Sequence, residues 1–491
     1  MENKPSPAFV VPEHILEPLL ILANSSTLDE TLQILIESAK TAHGRSNLAS
    51  KKILPVVLEL TKSLISPSTR HLLFSSLKLL RNLCAGEILN QNSFIMEDGV
   101  NIISSAFNSL SCDLDLDHEI IRIGLQLLGN VSLAGEEHQA AVWLQFFPVI
   151  FSDIARVRQL EICDILCMVL CTCCAGNHER MGQLCGVRGL QIVAEIIRTA
   201  STVGLGEDWL KQLLLKICLE ESHFSPLFSE LGSAGGVEYS DDSKYTENVF
   251  TTENAFLLSI LSESLNQKID EIAVSSEFAH SVLGILKRVV GIVDFFSRGK
   301  SGLPTGFPTV DVLGYSITIL RDICAQQGRR SSKSEGSIHI VNSLLSSGFL
   351  DLLLDFLREL EPPTIIKKSI SQEETSAQLK VCPYKGFRRD IVAVIGNCLF
   401  RMKHVQDEIR QKNAILLLMQ QCVTDDDNPF LREWGIWSVR NLLEGNEENQ
   451  RQVAELELQG SVDVPELSGL GLRVEVDQNT RRAKLVNIPS S

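Results

Sequence analysis

The stretch LKLLRNLCAGEILNQNSFIMEDGVNII, residues 77–103, decides the fold of this chain. It places Asn82 nine residues before Gln91 inside a leucine-rich frame, with an apolar residue three positions beyond the Gln. The same spacing recurs at Asn130/Gln139, Asn397/Gln406 and Asn441/Gln450. Four matches in register indicate an internal repeat, and a repeat determines the architecture before any other feature does.

The repeat length predicts the fold class. Asn82 and Asn130 are 48 residues apart, and Asn397 and Asn441 are 44 apart, which suits helical repeats of about 40 to 47 residues. We therefore predict an all-α, armadillo/HEAT-like α-solenoid. Residues 472–476 and 483–486 alternate polar and apolar side chains, which adds a short C-terminal β-hairpin-like tail to the prediction.

Weaker copies of the pattern extend the repeat. Thr172 lies 42 residues after Asn130, and Asp322 occupies the Asn position of a later copy. The Ala-Gly that follows the first copy recurs at 134–135 and 175–176, and Gly suits a left-handed residue just past a helix end. We call Asn82, Asn130, Thr172, Asp322, Asn397 and Asn441 the ladder residues.

Composition and charge limit the function classes. The 44% apolar and 22% charged content of the 491 residues excludes wholesale disorder. A formal net charge of −16 argues against nucleic-acid binding through bulk electrostatics. No apolar stretch reaches the roughly 18 residues of a membrane-spanning helix, and the thirteen cysteines lie in apolar helical frames, as buried free thiols do. We expect a cytosolic protein without a membrane span.

The repeat signal varies along the chain and suggests five segments. These are a mobile leader (1–12), N-terminal armadillo-like repeats (13–200), a degenerate helical middle with loops (201–312), C-terminal repeats (313–460) and a tail (461–491). Polar stretches at 232–252, 328–338 and 361–385 are predicted loops.

The C-terminal repeats carry a more specific signature. Asp-Asn-Pro-Phe-Leu at 427–431 precedes Glu433-Trp434, and Arg440-Asn441-Leu442 precedes Asn449-Gln450. Over residues 386–475 this resembles the ataxin-10 family. The resemblance implies an armadillo scaffold without enzymatic activity, in the cytoplasm, linked to signalling assemblies and to cytokinesis. Armadillo repeats carry their Asn on the last helix of each unit, facing the groove.

Catalytic and metal motifs fail on inspection. Gly299-Lys300-Ser301 ends like a phosphate-binding loop but has Asp294 where the first glycine belongs. Cys163, Cys167 and Cys171 recur at every fourth residue, a spacing of an apolar helix face rather than of a zinc loop. We expect no metal and no cofactor.

Several residues are candidate partner-binding sites. Asn82, Asn130, Asn397 and Asn441 could hydrogen-bond the backbone of an extended partner, or could instead cap neighbouring helices or inter-repeat turns. Trp434 and Trp437 could form a partner-facing shelf, or be buried between repeats. Ser332, after Arg329-Arg330-Ser331, is a candidate phosphosite. Asn428 and Pro429 are predicted to cap the helix that follows them.

The sequence thus favours a non-enzymatic scaffold that binds protein partners. A transport adaptor of the importin type is the alternative, although Trp stands four residues before an Asn only at Trp437. An enzyme hidden in residues 201–312 is a third possibility. It would have to use Glu220, Glu221, His223 and His280.

Overall fold

A computed structural model of the chain describes residues 27–111, 115–204, 208–233, 250–268, 271–329, 335–363, 365–366, 379–456, 472–476 and 483–487. The chain divides into two compact units: residues 1–281 with 307–315, and residues 282–306 with 316–491. The five predicted segments are a finer division and stay a prediction. The leader and Ser332 lie outside the described residues.

Helices account for most of both units. The first part of the chain forms α1 (Thr27–Ala39), α2 (Ala42–Ser50), α3 (Ile53–Ser63), α4 (Arg70–Leu83), α5 (Ile88–Met96), α6 (Gly99–Asn108), α7 (Asp115–Ser132), α8 (Glu136–Phe146), α9 (Val149–Ala155), α10 (Leu160–Cys174), α11 (His178–Cys185), α12 (Val187–Val203), α13 (Trp209–Leu215, continued by a π-helical turn, Lys216–Glu220) and α14 (Phe224–Ser233).

The second part continues the same pattern. It forms α15 (Thr252–Gln267), α16 (Ser276–Val290), α17 (Pro308–Arg329), α18 (Glu335–Ser346), α19 (Phe349–Glu359), α20 (Phe387–Leu399), α21 (Lys403–Gln411), α22 (Ile415–Met419), α23 (Leu431–Leu443) and α24 (Glu447–Ala454), followed by strands β1 (Leu472–Val476) and β2 (Ala483–Asn487).

The helices that carry ladder residues pack side by side. In the first unit α4 packs against α1 and α7, and α10 packs against α7 and α13; in the second unit α20 packs against α23. These helices bury aliphatic side chains such as Leu77, Leu127 and Leu170, all 0% exposed. Each such side chain stabilises the fold by about 1.5 to 3 kcal/mol. The repeat is thus a helical unit that buries its apolar face against its neighbours.

Glycines follow the ladder helices at the predicted Ala-Gly positions and at one further position. Gly86 and Gly176 follow α4 and α10 with φ of +67° and +72°, and the third predicted glycine, Gly135, follows α7 with φ of +137°. Gly445, which was not predicted, follows α23 with φ of +68°. An L side chain is disfavoured in this left-handed region, whereas glycine adopts it freely. The chain therefore reverses into the next unit within a few residues.

One part of the predicted fold class is corrected. β1 and β2 pair antiparallel, with Val474 opposite Leu485, and residues 477–482 between them lie outside the described residues. Among the described elements, no helix forms a substantial contact with either strand. The fold class is therefore an all-helical stack of armadillo-type repeats. The β-hairpin-like tail is not part of this class, because an isolated two-stranded ribbon adds no packing layer to the helices.

The predicted cap of α23 is wrong. This helix begins at Leu431, after Phe430, so Asn428 and Pro429 precede its first turn. Asn428 instead accepts hydrogen bonds from the backbone N–H groups of Arg388 and Arg389 at 3.0 and 3.4 Å. It thereby caps α20, whose own N-cap residue is a glycine without a side-chain acceptor.

Among the described residues, no single helix combines the length and apolar composition of a membrane span. Residues 339–346 and 349–359 meet both criteria only as a pair, and the pair is bent by 59°.

Candidate partner-binding surface

The ladder asparagines connect neighbouring repeats. Each donates its Nδ2 hydrogen to the backbone carbonyl of the residue just before the preceding ladder residue. The donor–acceptor distances are 3.0 Å from Asn130 to Arg81 O, 3.1 Å from Asn397 to Arg321 O and 2.9 Å from Asn441 to Gly396 O. Asn82 makes the equivalent bond to Ile36 O at 3.4 Å. The recurring asparagine therefore holds adjacent ladder helices in register.

Two of the four glutamines complete this connection, whereas Gln139 and Gln450 donate, among the described residues, only to Ser132 O and Leu443 O of their own repeats. Gln91 Nε2 donates to Cys84 O at the end of its own repeat, and to Asn130 O in the next repeat at 2.8 Å. Gln406 makes the same forward bond to Asn441 O at 2.8 Å. All four glutamines donate to the carbonyl seven residues earlier, at the C-terminus of the preceding ladder helix, where helix carbonyls lack intrahelical partners. The nine-residue spacing therefore recurs with this contact.

These contacts satisfy the asparagine donors but do not test partner binding. Asn82 and Asn441 are buried, at 9% and 1% exposure, whereas Asn130 and Asn397 are half-buried. Among the described residues, no hydrogen bond reaches the Oδ1 of Asn130 or Asn397. A partner role for the four asparagines stays a prediction. The side-chain Oδ1 atoms of Asn130 and Asn397 are the atoms suited to it.

A regular grid of side chains lies beside the asparagines in the first unit. The residues four and eight positions before each ladder residue lie along one side of their helices, because four residues are about 1.1 turns and eight are about 2.2 turns. All six are half-buried. We call them the row face: Lys78, Gln126 and Met168, with Phe74, Arg122 and Asp164 one turn earlier.

The two candidate tryptophans lie on α23 in different environments. Trp434 is half-buried, whereas Trp437 is 42% exposed. The Arg440 guanidinium stacks over the Trp437 ring at 4.9 Å, and Ile436 beside it is 52% exposed. Trp437 is thus accessible to a partner, and its binding role stays a prediction.

The cysteines of residues 163–174 lie on α10, and most of their side chains are buried. Cys163, Cys167, Cys173 and Cys174 are buried, and burial raises the pKa of the Cys163 and Cys173 thiols to about 11. Within the described part of the chain, no three His, Cys, Asp or Glu side chains are grouped as metal ligands.

The possible catalytic residues of the middle region lie on separate elements. Glu220 and Glu221 end the π-helical turn after α13, and His223 Nδ1 hydrogen-bonds the Glu221 carbonyl at 2.5 Å. His280 belongs to α16. His223, in the short link between this turn and α14, is thus engaged with the backbone of a residue two positions earlier.

Sequence reasoning missed Arg81, which lies beside the row face. Arginine immediately precedes three ladder residues, as Arg81, Arg321 and Arg440. This recurrence in the sequence could have identified the arginine as a further position of the repeat. The carboxylates available to each arginine, however, depend on which helices are neighbours.

Comparison with known proteins agrees with this architecture. The family domain described as "Spinocerebellar ataxia type 10 protein domain" matches residues 387–486. Ataxin-10 of Xenopus tropicalis is 26% identical over 81% of this chain and 77% of its own length. Human ataxin-10 is 24% identical over 83% of this chain and 81% of its own. The ataxin-10 homolog of Dictyostelium discoideum is 36% identical over 21% of this chain and 17% of its own.

Solved structures with some likeness to the chain are similar to it only at low identity. A structure from work on the phosphorylation switch between cadherin and β-catenin has 14% identity and a TM-score of 0.39, covering 88% of this chain and 75% of its own. A designed armadillo repeat protein in complex with the peptide (KR)4 has 13% identity and a TM-score of 0.33, covering 50% of this chain and 98% of its own. The sequence matches confirm the resemblance predicted from residues 386–475: residues 387–486 match the ataxin-10 family domain, and most of the chain is similar to ataxin-10 proteins.

Proposed function

We propose that this protein is a non-enzymatic scaffold, which binds extended segments of partner proteins along its ladder helices. The row face carries the proposal, because it brings six half-buried side chains of mixed chemistry into register on three neighbouring helices. Half-buried polar and aromatic side chains offer both contact area and hydrogen bonds to a partner.

The geometry of the repeat favours an extended partner. Packed helices lie about 8 to 10 Å apart, and three residues of an extended chain span about 10 Å. A peptide in the polyproline II conformation, with about three residues per turn and a rise of about 3.1 Å per residue, would therefore present every third side chain to one of α4, α7 and α10. The side-chain Oδ1 of Asn130 would accept a hydrogen bond from the peptide backbone.

The sequence similarity to ataxin-10 proteins supports a further proposal about where in the cell the protein acts. We place the scaffold in the cytosol, in signalling assemblies and in cytokinesis. Imaging of the tagged chain through cell division tests this setting separately from binding. Exclusion from the cytosol, or an undisturbed division after depletion of the protein, would contradict it.

Site-specific photo-crosslinking in cells tests the binding surface. A photoreactive phenylalanine analogue is placed at Phe74 or Gln126 on the row face, and at Met96 or Gln145 as exposed controls on α5 and α8. We expect discrete crosslinked proteins from the first two positions only. Crosslinks that are equally strong at the controls, or absent from both row-face positions, would refute the proposed surface.

A further inference from the structure

Arg81 is a half-buried arginine that has no carboxylate partner among the described residues. Its Nε and Nη2 donate to Asn82 Oδ1 at 3.1 and 2.8 Å, and its Nη1 donates to Gln126 Oε1 at 2.8 Å. Both acceptors are neutral amides. A guanidinium has five N–H donors, so hydrogens on both terminal nitrogens remain available. Burial, and then the Arg122 guanidinium, lower the pKa of Arg81.

The neighbouring cations add to this positive charge. Lys78 lies one turn before Arg81 on α4 and, among the described residues, forms no ion pair. Arg122 on α7 is bound by Glu119 at 2.6 Å. On α4 itself, Arg70 is paired with the buried Asp117. Lys78 and Arg81 therefore form an unneutralised cationic pair in a chain whose net charge is −16.

The equivalent arginines show how this position is neutralised elsewhere. Arg321 also precedes a ladder residue, but that residue is Asp322, which binds it at 2.9 Å, and Asp390 lies 3.7 Å away. Arg440 stacks on Trp437. At Arg81 the ladder residue is the neutral Asn82, so the carboxylate that Asp322 supplies to Arg321 has no counterpart.

We propose that Lys78 and Arg81, flanked by Arg122 and Gln126, form a subsite for an Asp or Glu side chain of an extended acidic partner segment. Two parallel N–H donors on the Arg81 guanidinium match the two oxygens of a carboxylate. Lys78 supplies a second positive charge beside them. This inference rests on the proposed function and specifies the chemistry of the partner.

The surroundings favour a protein segment over a polyphosphate. Glu119 on α7, with Glu161 and Asp164 on α10, lies on the neighbouring ladder helices. A nucleic acid carries a charge on every residue and would be repelled by these carboxylates. A peptide can place one acidic side chain at Lys78 and Arg81 and neutral residues beyond it.

Selection from a displayed library of random 16-residue peptides tests the subsite. The bait is the full-length protein, either unchanged or carrying Arg81→Gln or Lys78→Glu. Lys62→Glu is the matched control, because Lys62 is an exposed lysine on α3 with a 3.7 Å pair to Glu59. Thermal melting of each variant shows that the bait is folded. Lys78→Glu breaks no hydrogen bond of the described residues, so it remains informative if Arg81→Gln is unstable.

We expect peptides rich in Asp or Glu from the unchanged protein and from Lys62→Glu. Arg81→Gln should weaken their binding about tenfold or more, and Lys78→Glu should shift the selection toward Lys and Arg. Binding should also fall as salt is raised.

Three outcomes contradict the inference and separate it from the proposed function. Peptides without acidic enrichment, or with enrichment unchanged in both variants, overturn the subsite and leave the scaffold proposal standing. Failure of the unchanged protein to select any peptide overturns both. Tight competition by a 20-nucleotide single-stranded DNA against the selected peptides would show that the site binds polyanions in general. This result would contradict specificity for an acidic protein segment.

Discussion

At the scale of single residues, the side-chain amides of the ladder asparagines form hydrogen bonds to neighbouring helices. Asn441 is 1% exposed and gives its Nδ2 hydrogen to Gly396 O. Asn82 Nδ2 donates a hydrogen bond to Ile36 O, and Asn82 Oδ1 accepts one from Arg81 Nε. Buried amides of this kind stabilise a fold chiefly because leaving their partners unpaired is costly.

Replacement of Asn441 by Ala should therefore reduce the free energy of unfolding by about 1 to 3 kcal/mol. The Gly396 carbonyl would lose its side-chain partner in a site that water does not reach. Asn101 on α6 is the matched control, since it is exposed and its two side-chain hydrogen bonds, to Asp98 in its own turn and from Gln145 at 3.4 Å, lie at the surface. Asn101→Ala should change stability by less than about 0.5 kcal/mol. Equal denaturation midpoints for the two variants would contradict the structural role of Asn441.

At the scale of helices, the contact between α20 and α23 depends on a residue without a side chain. A Cβ on Gly396 would lie 2.5 Å from Ser438 Oγ. That hydroxyl donates toward Val392 O at 3.0 Å and Trp434 O at 2.8 Å, so its position is fixed from both helices. Close approach at this glycine brings the Gly396 carbonyl within reach of Asn441.

Gly396→Ala should therefore destabilise the protein by about 1 to 3 kcal/mol through overpacking. Gly182→Ala provides the opposite case, because Gly182 is exposed within α11 and a Cβ there would meet nothing within 4 Å. It should stabilise the protein by about 0.5 to 1 kcal/mol through helix propensity. Chemical denaturation measures both. Ser438→Ala added to Gly396→Ala should recover part of the loss, and a purely additive double variant would argue against this contact.

At the scale of the whole molecule, the thiols report how completely the repeats are packed. Ten of the twelve described cysteines are buried, and Cys171 and Cys422 are half-buried. Burial raises the pKa of the Cys185 thiol to about 11 and that of Cys171 to about 12. A group whose pKa is raised this far is almost fully protonated at pH 8, and the thiol is much less reactive than the thiolate.

At pH 8 the native protein should therefore react slowly with a thiol-selective reagent at its buried cysteines. In denaturant without reductant, all thirteen cysteines should react quickly. A parallel sample reduced beforehand serves as the control and should give the same total. A shortfall in the unreduced sample alone would reveal disulfides and contradict the assignment of these residues as free thiols.

The repeat and its helices were predictable because their causes are local in sequence. The Asn–Gln spacing and the leucine periodicity recur within each repeat, and the glycines after Ala85 and Ala175 mark helix ends through backbone freedom alone. The tail was less predictable as part of the fold class. Alternation over five residues indicates strand pairing but not whether the pair packs against the helices.

The candidate surface was predictable only in part, since its chemistry depends on neighbours far along the chain. Asn82 and Asp322 occupy equivalent positions of the repeat. Within the part of the chain that the structure describes, however, Arg81 has no carboxylate partner, whereas Arg321 has Asp322 and Asp390. Asn428 was expected to cap the next helix and instead caps α20, about 40 residues earlier.

The sequence by itself determined that this chain is a helical-repeat protein and, through residues 386–475, that it resembles the ataxin-10 family. Tertiary structure alone decided which polar groups are used up inside the molecule and which remain for a partner. The physical reason is the distance along the chain over which each interaction acts. Helix propensity, periodicity and turn conformation act within a few residues, whereas hydrogen bonds and ion pairs between repeats join side chains some 40 residues apart and exist only once the helices have packed.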